Sequence, residues 1–140
     1  MRPGRAAAAA GPAVRGRLLV VDDEPAIRRT LLRLLGQAHE VVTAATGAEG
    51  QAILEQDQAF DLILCDLMMP EMSGMELHAW LAAHHPALAE QVVFVTGGAF
   101  TPRATDYLTS VGNLRIEKPF DAANLTRLVA ELVVAAKSKR

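Results

Sequence analysis

The sequence of 140 residues is poor in cysteine and aromatics, with one Cys, four Phe, one Tyr and one Trp. A single thiol, Cys65, excludes an intramolecular disulfide and fits a reducing cytosol. Long apolar runs are also missing: none approaches the roughly 20 residues that span a bilayer. Nor is there a basic surplus, since 14 Lys+Arg stand against 16 Asp+Glu, for a formal charge of −2. The ends conceal how acidic the body is. Residues 18–136 hold seven basic and all sixteen acidic side chains, a net charge of −9. Such a body repels a phosphate backbone, which argues against nucleic-acid binding.

What is present reads as one domain between two short basic ends. Residues 1–17 carry Arg2, Arg5, Arg15, Arg17 and no acid, with a run of five alanines closed by Gly11-Pro12. Alanine is too weakly apolar for a signal peptide, so 1–17 is expected to be a disordered tail or the remnant of a linker. Residues 18–136 are long enough to bury a core without staples. Lys137, Lys139 and Arg140 form a basic C-terminal tail over 137–140, read as a solvated helix end.

Within the body, strand and helix patterns alternate. Leu18-Leu19-Val20-Val21 is a short continuous apolar run, the pattern of a strand buried on both faces. Asp22-Asp23-Glu24-Pro25 then opens a helix with buried-stripe residues Ile27, Leu31, Leu34 and Leu35. Strand patterns recur at 40–44, 61–65, 91–95 and, more weakly, 114–116. Between them Thr46 with Glu49, and Ser73 with Glu76, are spaced as capping boxes. The second of these helices is expected to end near His84-His85-Pro86. Thr101-Pro102 starts a short helix to about Ser110, and Asp121 caps a last one through Leu125, Leu128, Val129, Leu132 and Val133. This alternation predicts an α/β fold with a doubly wound, five-stranded parallel sheet and helices on both faces.

Ligands of such sheets bind at the carboxyl ends of the strands. Those ends collect Asp22 and Asp23, Asp66, Thr96 and, after the fifth strand, Lys118. Carboxylates gathered at one edge repel one another unless a cation lies among them, and Mg²⁺ suits one or two carboxylates plus waters and a phosphoryl oxygen. One carboxylate can then act as a nucleophile toward phosphorus, with the ammonium and the hydroxyl stabilising the phosphoryl group. The constellation points to phosphoryl transfer onto an aspartate.

On these residues the chain resembles the receiver domain of bacterial two-component response regulators. The resemblance is carried by Val20-Val21-Asp22-Asp23-Glu24, by Leu64-Cys65-Asp66-Leu67-Met68-Met69-Pro70 with Gly74, by Phe94-Val95-Thr96-Gly97 and by Glu117-Lys118-Pro119-Phe120. Asp66 follows Asp23 by 43 residues and precedes Thr96 by 30 and Lys118 by 52, spacings that fit the family. The match covers about 18–136. It implies a flavodoxin-like (βα)5 fold with strand order 2-1-3-4-5 and a cis Lys118-Pro119 bond.

The resemblance also implies a role for each residue. Asp66 is the phosphoacceptor; Asp22, Asp23, Asp66 and the Met68 backbone carbonyl hold Mg²⁺ or Mn²⁺; Thr96 and Lys118 contact the phosphoryl group. The donor is the phosphohistidine of a histidine kinase or a histidine phosphotransfer domain, in the cytoplasm, and dephosphorylation is slow. The chain is then a signalling switch that catalyses its own phosphorylation and dephosphorylation, rather than an enzyme acting on others. A downstream protein is expected to read the fourth long helix, the fifth strand and the last helix.

Other features have plainer readings. Met68, Met69 and Met72 are expected to pack under a loop, and Cys65, pointing away from the site by strand alternation, to be buried and inert. His39, His78, His84 and His85 lack metal-ligand spacing. Two departures from the family pattern stand out. Arg115 occupies the place, three residues before the lysine, where receivers usually carry Tyr or Phe. Gly97 and Gly98 leave the phosphoryl site open, which predicts a short-lived phospho-form. The stretch 97–103 with 114–120 looks most like the receivers of hybrid histidine kinases, and residues 1–17 would suit a linker from a kinase core; a stand-alone receiver is the other form. A pseudo-receiver that serves only as an interaction module is the alternative favoured by Arg115. A haloacid-dehalogenase-like phosphatase needs a second acid two residues after the nucleophile, where this chain has Met68.

Overall fold

Leu18, Leu19, Val20 and Val21 are all buried, so the first strand, β1 (Arg17–Val21), is covered on both faces as its unbroken apolar run requires. The computed structural model describes residues 14–69, 71–97 and 101–139. Residues 1–13 of the expected tail, together with Pro70, Gly98, Ala99, Phe100 and Arg140, lie outside the described residues.

Beside β1 stand β2 (Glu40–Ala44) and β3 (Leu62–Asp66), followed by β4 (Val92–Thr96) and β5 (Arg115–Glu117), in the order β2-β1-β3-β4-β5. Every neighbouring pair is parallel. This is the expected doubly wound sheet. Side-chain alternation divides the core in two. On one face Leu18, Val20, Leu62, Leu64, Val93 and Val95 pack against Leu31 and Leu35 of α1 (Pro25–Leu35) and Leu125, Val129 and Val133 of α6 (Ala122–Ser138). On the other, Leu19, Val21, Ile63, Cys65, Val92 and Phe94 meet α2 (Gly47–Gln56), α3 (Gly74–His84), α4 (Pro86–Ala89) and α5 (Pro102–Val111). Each such Leu or Val is worth about 1.5–3 kcal/mol when fully buried. These two cores hold the strand ends at fixed height, and the site is built there.

Capping residues set where the helices begin. Ser73 accepts from the Glu76 N–H at 3.3 Å while Glu76 accepts from the Ser73 N–H at 3.1 Å, a complete capping box. Thr46 caps α2 through the Glu49 N–H, but the Glu49 carboxylate reaches back to the Ala45 N–H, one residue beyond the expected partner. Thr101 and Asp121 cap α5 and α6.

Four features differ from expectation. β3, β4 and β5 each start and end one residue later than their strand patterns, which takes Asp66 and Thr96 into the sheet itself. Pro86, read as a helix stop, instead starts the one-turn helix α4, because proline suits a first turn. Arg17 belongs to β1 rather than to a tail: its guanidinium lies 4.3 Å from the Phe60 ring centroid and pairs with Asp57 at 2.7 Å and Glu40 at 3.1 Å. Lys137 lies within α6 and approaches the buried Asp61 at 3.4 Å, so the basic C-terminus is more than a solvated helix end.

Candidate phosphoacceptor site

Asp22 follows the last residue of β1, Asp66 ends β3 and Thr96 ends β4, so the parallel sheet delivers all three to one edge. Asp22, Asp23 and Asp66 each offer a carboxylate oxygen, and these oxygens lie within 4.8 Å of one another. Asp22 and Asp66 are buried, whereas Asp23 is exposed. The backbone at this edge is tied across strands: the Leu67 N–H donates to the Val95 carbonyl at 3.1 Å and the Lys118 N–H to the Thr96 carbonyl at 2.8 Å. Lys118 follows β5, and its peptide bond to Pro119 is cis.

The Lys118 ammonium enters from the far side of the sheet. It lies 3.1 Å from Asp22 Oδ2, 2.8 Å from Glu24 Oε1 and 3.7 Å from Asp66 Oδ2. Asp66 Oδ1 accepts the Met68 N–H at 3.3 Å, and Asp22 Oδ1 accepts the Glu24 N–H at 2.9 Å. Burial pushes the Asp66 carboxyl up to about 7, helped by the negative charge of Asp22, while Lys118 and the Met68 N–H oppose the rise. Burial works against the Lys118 ammonium, but its hydrogen bond to Glu24 and its close pairing with Asp22 outweigh that and raise its pKa above the ordinary lysine value. Burial, reinforced by Asp66 and Asp22, raises the Cys65 thiol, in keeping with an inert core residue.

A divalent cation fits these residues. Asp22 Oδ2 is buried without a well-directed hydrogen bond and, among the described residues, has the Lys118 ammonium alone, as an ion pair, to offset its charge. Together with Asp23 and Asp66 it forms an all-oxygen donor set, the type that Mg²⁺ and Mn²⁺ prefer. Met68 follows in the loop after Asp66, and its side chain is 43% exposed rather than packed under the loop. Met69 is buried, and Met72 packs against the core as expected.

The remaining candidates lie elsewhere. His39 accepts the Gly16 N–H at 2.9 Å in the interior, and His84 stacks on Trp80. His78 is buried, with Nδ1 2.6 Å from the Tyr107 hydroxyl. Arg115 pairs with Phe94 across the β4–β5 ladder, is exposed, and forms no ion pair among the described residues. A groove of about 610 Å³ beside Phe60, Pro86 and Leu88 lies at the amino ends of β3 and β4, the opposite end of the strands from Asp22, Asp23 and Asp66, with His84 and His85 in its lining.

Glu24 is the site neighbour whose role the sequence reading missed. Its place before Pro25 marked it as a helix-opening acid, yet its carboxylate turns back to Lys118. Its position directly after the paired aspartates was the available signal.

This fold and site define a class. The chain belongs to the response regulator receiver domain family, whose model matches residues 18–130. It is 31% identical over 121 residues to the response regulator receiver protein CpdR of Brucella abortus, covering 86% of this chain and 98% of that one. It is 32% identical over 125 residues to hybrid signal transduction histidine kinase D of Dictyostelium discoideum, covering 88% of this chain and 8% of the kinase. Against the transcriptional regulatory protein GlrR of Escherichia coli it is 40% identical over 88 residues, and the chain spans 19% of that regulator's length. The crystal structure of a CheY-like receiver domain protein from Methanospirillum hungatei matches with a TM-score of 0.79 at 29% identity, over 91% of this chain and 100% of that one. The chain is therefore a signalling receiver of two-component type. Among the described residues no helix is long and apolar enough to cross a membrane.

Proposed function

We propose that Asp66 accepts a phosphoryl group from the phosphohistidine of a histidine kinase or phosphotransfer domain, in a reaction that depends on a divalent cation. The observation that carries this reading is the convergence on Asp66: two further carboxylates within 4.8 Å and an ammonium at 3.7 Å, at the carboxyl edge of the sheet. An Asp66 oxygen attacks phosphorus, the P–N bond breaks, and its electron pair returns to the imidazole nitrogen, which takes up a proton from water. The Met68 N–H, bonded to Oδ1, orients the carboxylate. Lys118 offsets negative charge on the transferred group, and the Thr96 hydroxyl donates to one of its oxygens. Mg²⁺ or Mn²⁺ held by Asp22, Asp23, Asp66 and the Met68 carbonyl would neutralise the charge that gathers on the phosphoryl oxygens. Autodephosphorylation, slow beside the transfer step, returns the switch to its resting state.

The cytoplasm is the compartment this reading requires, and the unpaired, buried Cys65 accords with it. Residues 17–138, from the first residue of β1 to the last of α6, act as the receiver. Output passes to a partner protein through α5, β5 and α6. Incubation with acetyl phosphate and Mg²⁺, followed by intact-mass measurement, should add one phosphoryl group to the wild type and none to Asp66→Asn. A wild type that gains no mass, with acetyl phosphate or with a phosphorylated histidine donor, overturns the reading and leaves a pseudo-receiver.

A further inference from the structure

Lys118 faces three acids, and the contact it makes most closely is to the one outside the proposed metal set. Its ammonium is 2.8 Å from Glu24 Oε1, against 3.1 Å for Asp22 and 3.7 Å for Asp66. An ammonium has three donors, so each one directed at Glu24 is one withheld from the other two acids. The Glu24 backbone is fixed on both sides: its N–H donates to Asp22 Oδ1 at 2.9 Å, and its carbonyl accepts from the Ile27 and Arg28 N–H groups at 3.1 Å. Glu24 makes no capping bond of its own to α1, so its carboxylate is not committed to the helix. The backbone therefore fixes where the side chain starts, within reach of Lys118.

We infer that Glu24 is a positioning residue that draws the Lys118 ammonium toward the rim and away from Asp66, keeping the Asp66 carboxylate open to a divalent cation and weakening the hold of the lysine on Asp22. The inference rests on the proposed function and adds a role to a residue outside its acceptor, metal and phosphoryl contacts. The physical reason is competition. A lysine collapsed onto Asp22 and Asp66 occupies, with one positive charge, the oxygens that a divalent ion needs. Glu24 supplies an alternative acceptor at the rim, 58% exposed, where an ion pair loses little hydration. Loss of its charge leaves the ammonium, among the described residues, the two site acids to pair with.

The test measures Mn²⁺ binding to the full chain by the loss of the free-ion electron paramagnetic resonance signal. Four proteins complete a double-mutant cycle: wild type, Glu24→Gln, Lys118→Met and the double variant. Glu24→Gln should bind Mn²⁺ about fivefold more weakly, and Lys118→Met should bind it more tightly than wild type. In the Lys118→Met background, Glu24→Gln should change affinity by less than about twofold, because the residue acts through the lysine. Unchanged affinity in the single variant overturns the inference. So does an equal weakening in both backgrounds, which would make Glu24 a ligand in its own right. Lys118→Gln replaces Lys118→Met if the latter fails to fold. A wild type that is phosphorylated normally while Glu24→Gln binds Mn²⁺ normally removes this inference alone. A wild type that neither binds Mn²⁺ nor accepts phosphate removes the proposed function with it.

Discussion

A β-carbon on Gly74 would lie 2.4 Å from the carbonyl oxygen of Asp66. It would also stand 3.0 Å from Leu67 Cα, and both neighbours are backbone, which cannot turn aside as a side chain can. The start of α3 is therefore pressed directly against the residue proposed to carry the phosphoryl group, and the Gly74 N–H bonds to the Leu67 carbonyl at 3.0 Å. Gly74→Ala should push the loop after β3 outward and cost about 1–3 kcal/mol, read as a lower urea midpoint. Phosphorylation by acetyl phosphate should slow as well, because Asp66 moves relative to Lys118. A variant with wild-type stability and rate would show that the contact relaxes freely.

Asp66 should also lower the stability of the metal-free protein at neutral and higher pH. Its carboxyl is raised to about 7 from an ordinary 3.8, so the folded state holds a proton that the unfolded state has released between those values. The sign follows: this stabilisation is full below about pH 4 and is lost as pH rises through about 7. In EDTA, Asp66→Asn should be more stable than wild type by about 1–3 kcal/mol at about pH 8, with the gain shrinking toward about pH 5. Excess Mg²⁺ should raise the wild-type urea midpoint at the higher pH more than that of the variant. An Asp66→Asn advantage that is equal at both pH values would show that ionisation is not its origin.

Two buried histidines act in the opposite direction. Burial lowers the pKa of His39, with Arg15 and Lys137 adding to the effect, and burial lowers that of His78 against the Ala89 carbonyl and Asn113. Both remain neutral in the folded protein while the unfolded chain takes up protons below the ordinary 6.5. Stability should therefore fall as pH drops from 6.5 toward the depressed folded values. His39→Gln and His78→Gln should each reduce the steepness of that acid loss, measured by urea midpoints in the Asp66→Asn background. Equal slopes in all variants would place the acid sensitivity elsewhere.

Periodicity and motif order made most of this legible in the sequence. Strand boundaries fell within one residue because each parallel strand is an apolar run buried on both faces, and Asp22, Asp66, Thr96 and Lys118 were placed by the rule that strand ends form the site. What escaped were effects of side-chain direction and of tertiary partners. Glu24 read as helix charge because linear spacing does not reveal that a carboxylate turns back to a lysine 94 residues away. Pro86 read as a stop because a proline that ends one helix is the same residue that starts another. His78 read as unremarkable, since its hydrogen bond to Tyr107 joins α3 to α5 across 29 residues. Arg115 was legible as a departure from the family, and its exposure on β5 agrees with a residue that faces a partner or solvent rather than the core.

The proposed phospho-form should be short-lived, and Gly97 is a physical reason. It follows Thr96 at the end of β4, is exposed, and among the described residues a built β-carbon has one near neighbour, the Lys118 side chain, with Cδ at 3.4 Å. Nothing at position 97 therefore shields an acyl phosphate on Asp66 from attacking water. Gly97→Val should cover that approach and lengthen the lifetime several-fold, while its ordinary contact with a flexible lysine methylene leaves folding intact. The measurement is phospho-protein remaining with time after the donor is removed, at fixed Mg²⁺ and neutral pH. A wild-type phospho-form that persists for many hours would refute the argument, and so would a Gly97→Val variant that decays at the wild-type rate. The second result would place water's approach on a side of Asp66 that position 97 does not cover.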